Sequence, residues 1–166
     1  WEIGWLLGIF SLLQFLVSPL LGHLSDRFGR RPVLIISTIG TAIGFTIMGL
    51  GHSLQMLFIG RIIDGVSGGS IGTAQAYVAD ITSPENRSRA MGLLGAAFGL
   101  GFVFGPALGG ATASWLGPGA PLCLSGGLAL LNAIFIFFLL PESRVEKSVG
   151  APREKLFPGL WKHVRA

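Results

Sequence analysis

The stretch GHLSDRFGRR, residues 22–31, packs three arginines and an aspartate into ten positions between two long apolar runs. Such a concentration of charge in a short gap needs a reason, because the chain around it is poor in charge. Of its 166 residues, 51% are hydrophobic and only 12% charged, against about 25% in soluble domains. Mean hydropathy is +0.68. The 26 glycines show no Gly-X-Y period, which excludes a collagen-like fibre. Charges that cluster, rather than spread over a surface, argue against a soluble core. Small residues in an apolar chain suit close-packed membrane helices instead.

A helix crossing a bilayer core of roughly 30 Å needs about 20 apolar residues. Five segments meet that demand, at about 3–24, 32–51, 54–79, 90–115 and 120–140. Gly51, His52 and Ser53 form a tiny turn between the second and third, and GPGAP (117–121) separates the fourth from the fifth. Arg27, Arg30 and Arg31 fall between spans one and two, and Arg87 and Arg89 between three and four. Arg144, Lys147, Arg153, Lys155, Lys162 and Arg165 follow span five, and the two other turns hold no Lys or Arg. This asymmetry predicts that the arginine-bearing connections face the cytosol. Retention of loops on that face explains the arginines of 22–31, but not Asp26, Gly22 or Gly29.

The net charge of +4 follows from the same loop bias. No basic helix with interleaved aromatics is present, so a nucleic-acid partner is excluded. Cys123 lies within an apolar run and reads as a small core residue. The chain begins at Trp1, inside an apolar stretch with no charged leader. It reads as a fragment whose N-terminus, and whatever follows Ala166, lie outside it. Gly22 and Gly29 would permit a tight turn and close helix contact. Asp26 would cap a short helical turn and pair with Arg30 one turn on, and Asp80, at the end of span three, could join them.

The series Gly22-x-Leu24-Ser25-Asp26-Arg27-x-Gly29-Arg30-Arg31-Pro32 resembles the signature between helices 2 and 3 of the major facilitator superfamily. The resemblance implies an all-α membrane fold: residues 1–144 as helices 2 to 6 of a twelve-helix transporter, and 145–166 as the start of its central cytoplasmic loop. PESR (141–144) looks like the usual close of helix 6. Leu156, Phe157, Leu160, Trp161 and Val164, interleaved with Lys155, Lys162 and Arg165, form either a short interfacial helix or a linker.

Arg61 and Asp64 lie within span three, three residues apart and so on one helical face. Arg61 is about 10 Å along the helix from its outer end at a rise of about 1.5 Å per residue. A charge at this depth costs about 2.5–3.5 kcal/mol. The pair is therefore either a salt bridge that pins helix packing or a site of proton or substrate coupling. By resemblance, Arg61 with Leu57 and Gly65 is similar to the helix 4 signature of proton-coupled members, whose arginine assists proton transfer. Asp64 departs from that pattern, since glutamine is common there. Gly65, Gly68, Gly69 and Gly72 follow at packing intervals. No Lys-Ser/Thr follows them, which excludes a nucleotide-binding loop.

Gly101, Gly105 and Gly109 form a ridge in span four, and Pro106 invites a kink. A tightly packed bent helix accounts for this stretch. Together with Gly110 it also resembles the helix 5 signature of exporters in the superfamily. SDRFGRRPVL, ADITSPENRSRAMG and FGLGFVFGPALGG look like the matching stretches of bacterial tetracycline/proton antiporters. Those carry an acidic residue midway along helix 3, where this chain has Gly44 in a span without ionisable residues. Gln14 resembles a glutamine common in drug exporters. It is a candidate for the substrate cavity, with Gln75, Tyr77 and Asn132 as further ones.

The reading that follows is a proton-coupled exporter of drug-like amphiphiles in the inner (plasma) membrane, working by alternating access. Its partners are the bilayer, protons, a small-molecule substrate and the missing second half. No cofactor, metal or enzymatic motif is expected. Uptake of sugars or other metabolites is the alternative, and a non-transporting truncated membrane protein is another.

Overall fold

The structure is a computed structural model and describes residues 1–68 and 70–142. Among them the chain forms α1 (Glu2–Phe28), α2 (Arg30–Leu50), α3 (Leu54–Ser67), α4 (Ser70–Ile81), α5 (Arg87–Leu116) and α6 (Ala120–Leu139). Helices α1, α2, α5 and α6 are long and apolar enough to cross a membrane. The amphipathic pattern expected within 156–165 and the central loop expected from 145 lie outside the described residues.

Two expectations need correction. The segment 22–31 is not a loop: α1 runs to Phe28, α2 starts at Arg30, and Gly29 alone separates them. Its φ of 106° is the left-handed region that glycine enters without cost. The single helix expected over 54–79 is instead α3 and α4, of 14 and 12 residues. At about 1.5 Å per residue neither spans a bilayer core alone. The interruption falls in a serine- and glycine-rich stretch of low helix propensity. At the end of α3, the Gly68 N–H turns back to the Gly65 carbonyl at 3.3 Å.

Helix α2 lies at the centre of the packing, against α3 on one side and α6 on the other. Glycines set these crossings. A Cβ at Gly126 would sit 3.1 Å from the Ala42 carbonyl oxygen, and one at Gly44 would sit 2.8 Å from that of Gly60. With no hydrophobic drive between helices in lipid, such backbone approach is the main source of van der Waals attachment. An apolar cluster of Leu34, Tyr77 and Ile136, flanked by Ile35, Ala74, Val78 and Leu140, joins α2, α4 and α6. Helix α5 buries none of its residues.

The ends of the bundle differ. At one end the α1–α2 junction, the close of α4 and the close of α6 meet through Arg30, Asp80 and Glu142. At the other, Gly49 of α2 touches Gly119 and Cys123 at the start of α6. The connections rich in arginine therefore gather at one end, and turns free of Lys and Arg at the other.

Candidate functional site

At the charged end, one guanidinium organises three elements. Arg30 reaches the Asp26 carboxylate on α1 at 2.6 Å and the Asp80 carboxylate on α4 at 3.0 Å. It also donates to the Ser25 hydroxyl at 2.6 Å. Ser25 is buried and donates in turn to the Gly22 carbonyl at 2.8 Å. Asp26 and Asp80 are 63% and 38% exposed, so each pair alone is worth about 0–1 kcal/mol. Their shared, planar partner gives the cluster directional geometry.

Asp26 does not cap a helix as expected. It sits in the last turn of α1, where its side chain faces Arg30 one turn on. Gly22 makes no turn or close contact, since a Cβ there would meet nothing within 4 Å. Arg31 donates to the Phe137 carbonyl and lies 5.5 Å over the Phe137 ring. Arg27 lies 5.5 Å over Phe28. Arg87 donates to the Ala79 carbonyl at 3.0 Å, closing the end of α4.

Deep in the bundle, Arg61 and Asp64 share a face of α3 with 3.6 Å between them. Asp64 is 5% exposed. The Arg61 side chain retains 27% exposure and lies 5.4 Å over the Phe10 ring of α1. At that separation the pair is electrostatic rather than hydrogen-bonded, and among the described residues the guanidinium makes no hydrogen bond. The Thr41 hydroxyl stands beside the Asp64 carboxylate, and Gly44 faces its Cβ.

The sequence candidates for a cavity separate. Gln14 donates to the Gly68 carbonyl at 3.0 Å and so satisfies backbone freed at the end of α3. Beside it runs a groove of about 610 Å³ between α1 and the start of α4, lined by Ser11, Gln14, Phe15, Ser18, Gly68 and Gly72 among others. Gln75 and Asn132 are exposed and do not line it. Tyr77 is buried and donates to the Pro141 carbonyl at 3.1 Å. Gly69 lies outside the described residues.

On α5, Gly101, Gly105, Gly109 and Gly110 meet nothing within 4 Å of where a Cβ would stand. The tight packing expected of this ridge is thus not made with the described residues, because α5 presents it away from them. The helix also continues through Pro106. Ser25 stood in the sequence only as a member of the 22–32 signature, with no role of its own. Glu142 was visible only as part of PESR, with nothing local to show which helix it meets.

Residues 2–166 match the sequence profile of the Major Facilitator Superfamily. The chain is 45% identical over 140 residues to the class C tetracycline resistance protein of Escherichia coli, covering 84% of this chain and 35% of that protein. It is 38% identical over 164 residues to major facilitator superfamily domain-containing protein 10 of Bos taurus, covering 98% and 34%. The crystal structure of the human organic anion transporter MFSD10 (TETRAN) is similar with a TM-score of 0.73 and 40% identity, over 84% of this chain and 32% of that one. The chain spans about a third of the length of these relatives. Its signature residues, helical architecture and matched profile agree: this chain belongs to the major facilitator superfamily.

Proposed function

We propose that this chain serves proton-coupled export of small amphiphilic compounds across the inner (plasma) membrane by alternating access. One observation carries the reading: an ionisable pair, Arg61 and Asp64, stands inside an apolar helix with its carboxylate buried. Intramembrane charges of this kind are expensive and mark ion or substrate pathways. Asp64 takes and releases the proton, and Arg61 tunes its charge. The Asp26–Arg30–Asp80 cluster latches the cytosolic end in one state and parts in the other. The groove beside Gln14 offers an apolar wall with few polar groups, as amphiphilic cargo requires. The names of the tetracycline resistance relatives support a drug as cargo.

The test is drug accumulation in cells expressing the protein, with the proton gradient intact or collapsed. Arg61→Ala should abolish gradient-driven export while the protein stays in the membrane. Unchanged export would remove Arg61 from the mechanism. A cysteine placed near Arg30 should react only from the cytosolic side, and reaction from outside intact cells would overturn the topology.

A second reading is favoured by the Arg61 guanidinium, which makes no hydrogen bond among the described residues, and by the similar human organic anion transporter. In it the cargo is an organic anion whose carboxylate meets Arg61. Competition between a fluorescent anion and a neutral drug separates the two.

A further inference from the structure

Helix α2 begins badly by local standards. The first four N–H groups of a helix lack partners, and its N-terminus carries partial positive charge. The first residues of α2 are Arg30, Arg31 and Pro32, so two cations sit at the positive end of the dipole. Its N-cap is Gly29, which has no side chain to offer, and its first turn contains no acidic residue. An anion on these N–H groups would be favourable, and the neighbouring Asp26 is engaged by the Arg30 side chain at 2.6 Å instead.

We propose that Glu142 is a positioning residue: it caps α2 from 112 residues away and thereby ties the segment leaving α6 to the Arg30 cluster. Its Oε1 accepts from the Arg30 N–H at 3.0 Å. Its carboxylate lies against the bare Cα of Gly29, where a Cβ would stand 2.7 Å from Oε2 and 2.8 Å from Cδ. Gly29 is therefore required twice, for its φ of 106° and as the seat of this carboxylate. The close of α6 is fastened by two further contacts, from Tyr77 to the Pro141 carbonyl and from Arg31 to the Phe137 carbonyl and ring. The α1–α2 junction, the end of α4 and the end of α6 are thus one mechanical unit. A rearrangement that moves the start of α2 away from α4 must carry Glu142 with it or break the cap. The role in transport rests on the reading above, but the contact itself does not.

The experiment is hydrogen–deuterium exchange of the peptide bearing the first turn of α2, on the full chain in lipid nanodiscs. Loss of a cap corresponds to about 2- to 30-fold. Glu142→Ala should speed exchange of these amides by that factor, and Glu142→Gln, which keeps an acceptor without the charge, by less. Gly29→Ala should disturb the protein less in the Glu142→Ala background than alone, because one of its two conflicts has been removed. Unaltered exchange in both Glu142 variants, or an equal Gly29→Ala effect in both backgrounds, would overturn the proposal. In parallel, Glu142→Gln should change the maximal transport rate more than the substrate concentration at half-maximum. If exchange responds but no variant nor the parent transports anything, the cap stands and the transport reading fails.

Discussion

The Cα of Gly44 approaches Asp64 so closely that a Cβ added to it would stand 3.2 Å from the Asp64 Cβ and 3.1 Å from the Asp64 nitrogen. The buried carboxylate on α3 is thus rooted at a close crossing of α2 and α3. The Gly60 carbonyl, 2.8 Å from the same point, is backbone and cannot swing aside. Gly44→Ala should force the helices apart and cost about 1–3 kcal/mol, measured by unfolding in mixed detergent. Wild-type stability would mean that the crossing is slack.

The same crossing makes a charge-relocation test. Gly44→Asp alone places a second carboxylate beside Asp64, and like charges in a shared site cannot both ionise freely. Transport should fall by tenfold or more, on the order of a 1.4 kcal/mol penalty. Combining Gly44→Asp with Asp64→Gly leaves one carboxylate at the crossing, now on α2, and should recover part of the rate. Equal failure of single and double variants, with Gly44→Ala still transporting and so excluding the Gly60 clash as the cause, would show that the position on α3 is what matters.

Arg30 binds Asp26 and Asp80 with one guanidinium. Asp26→Asn and Asp80→Asn should therefore be non-additive, as groups in one network are. Each should slow transport without inverting the topology, and each should change stability by about 1 kcal/mol or less. Initial rates of drug export for the two single variants and the double variant check this. Strict additivity would mean that the two carboxylates act separately.

Gln14→Ala removes the donor that satisfies the Gly68 carbonyl. Interhelical side-chain hydrogen bonds in membranes average about 0.6 kcal/mol, with values up to about 1.7. The expected loss of stability is in that range, with faster amide exchange where α3 ends. A change confined to substrate affinity, with stability intact, would assign Gln14 to cargo rather than to the backbone.

Glu85, in the connection before α5, is held below the usual carboxylate range by its own backbone N–H and then by the Ser83 side chain. A carboxylate depressed in the folded state adds stability above its ordinary titration range, and this is lost as pH falls through the folded value. Ser83→Ala should move the Glu85 titration up toward the ordinary glutamate range, followed by carboxyl-carbon NMR. No movement would leave the backbone N–H as the whole cause.

The sequence alone determined that these segments are apolar helices and at which end the arginines gather. Both follow from composition and from one-dimensional spacing, which hydrocarbon and the positive-inside bias act on directly. The pairing of Arg61 with Asp64 was legible because the two lie one turn apart on α3; that of Asp26 with Arg30 was legible from their spacing of four residues, although Gly29 puts them on different helices. Only the tertiary structure decided that Gly29 is the entire α1–α2 connection and that α3 ends at Ser67 with Gln14 on the Gly68 carbonyl. It alone seats Asp64 on Gly44 and brings Glu142 to the start of α2. Those relations depend on how helices distant in sequence cross and on which backbone groups each crossing leaves to be satisfied. No local pattern of residue types encodes a partner 112 positions away.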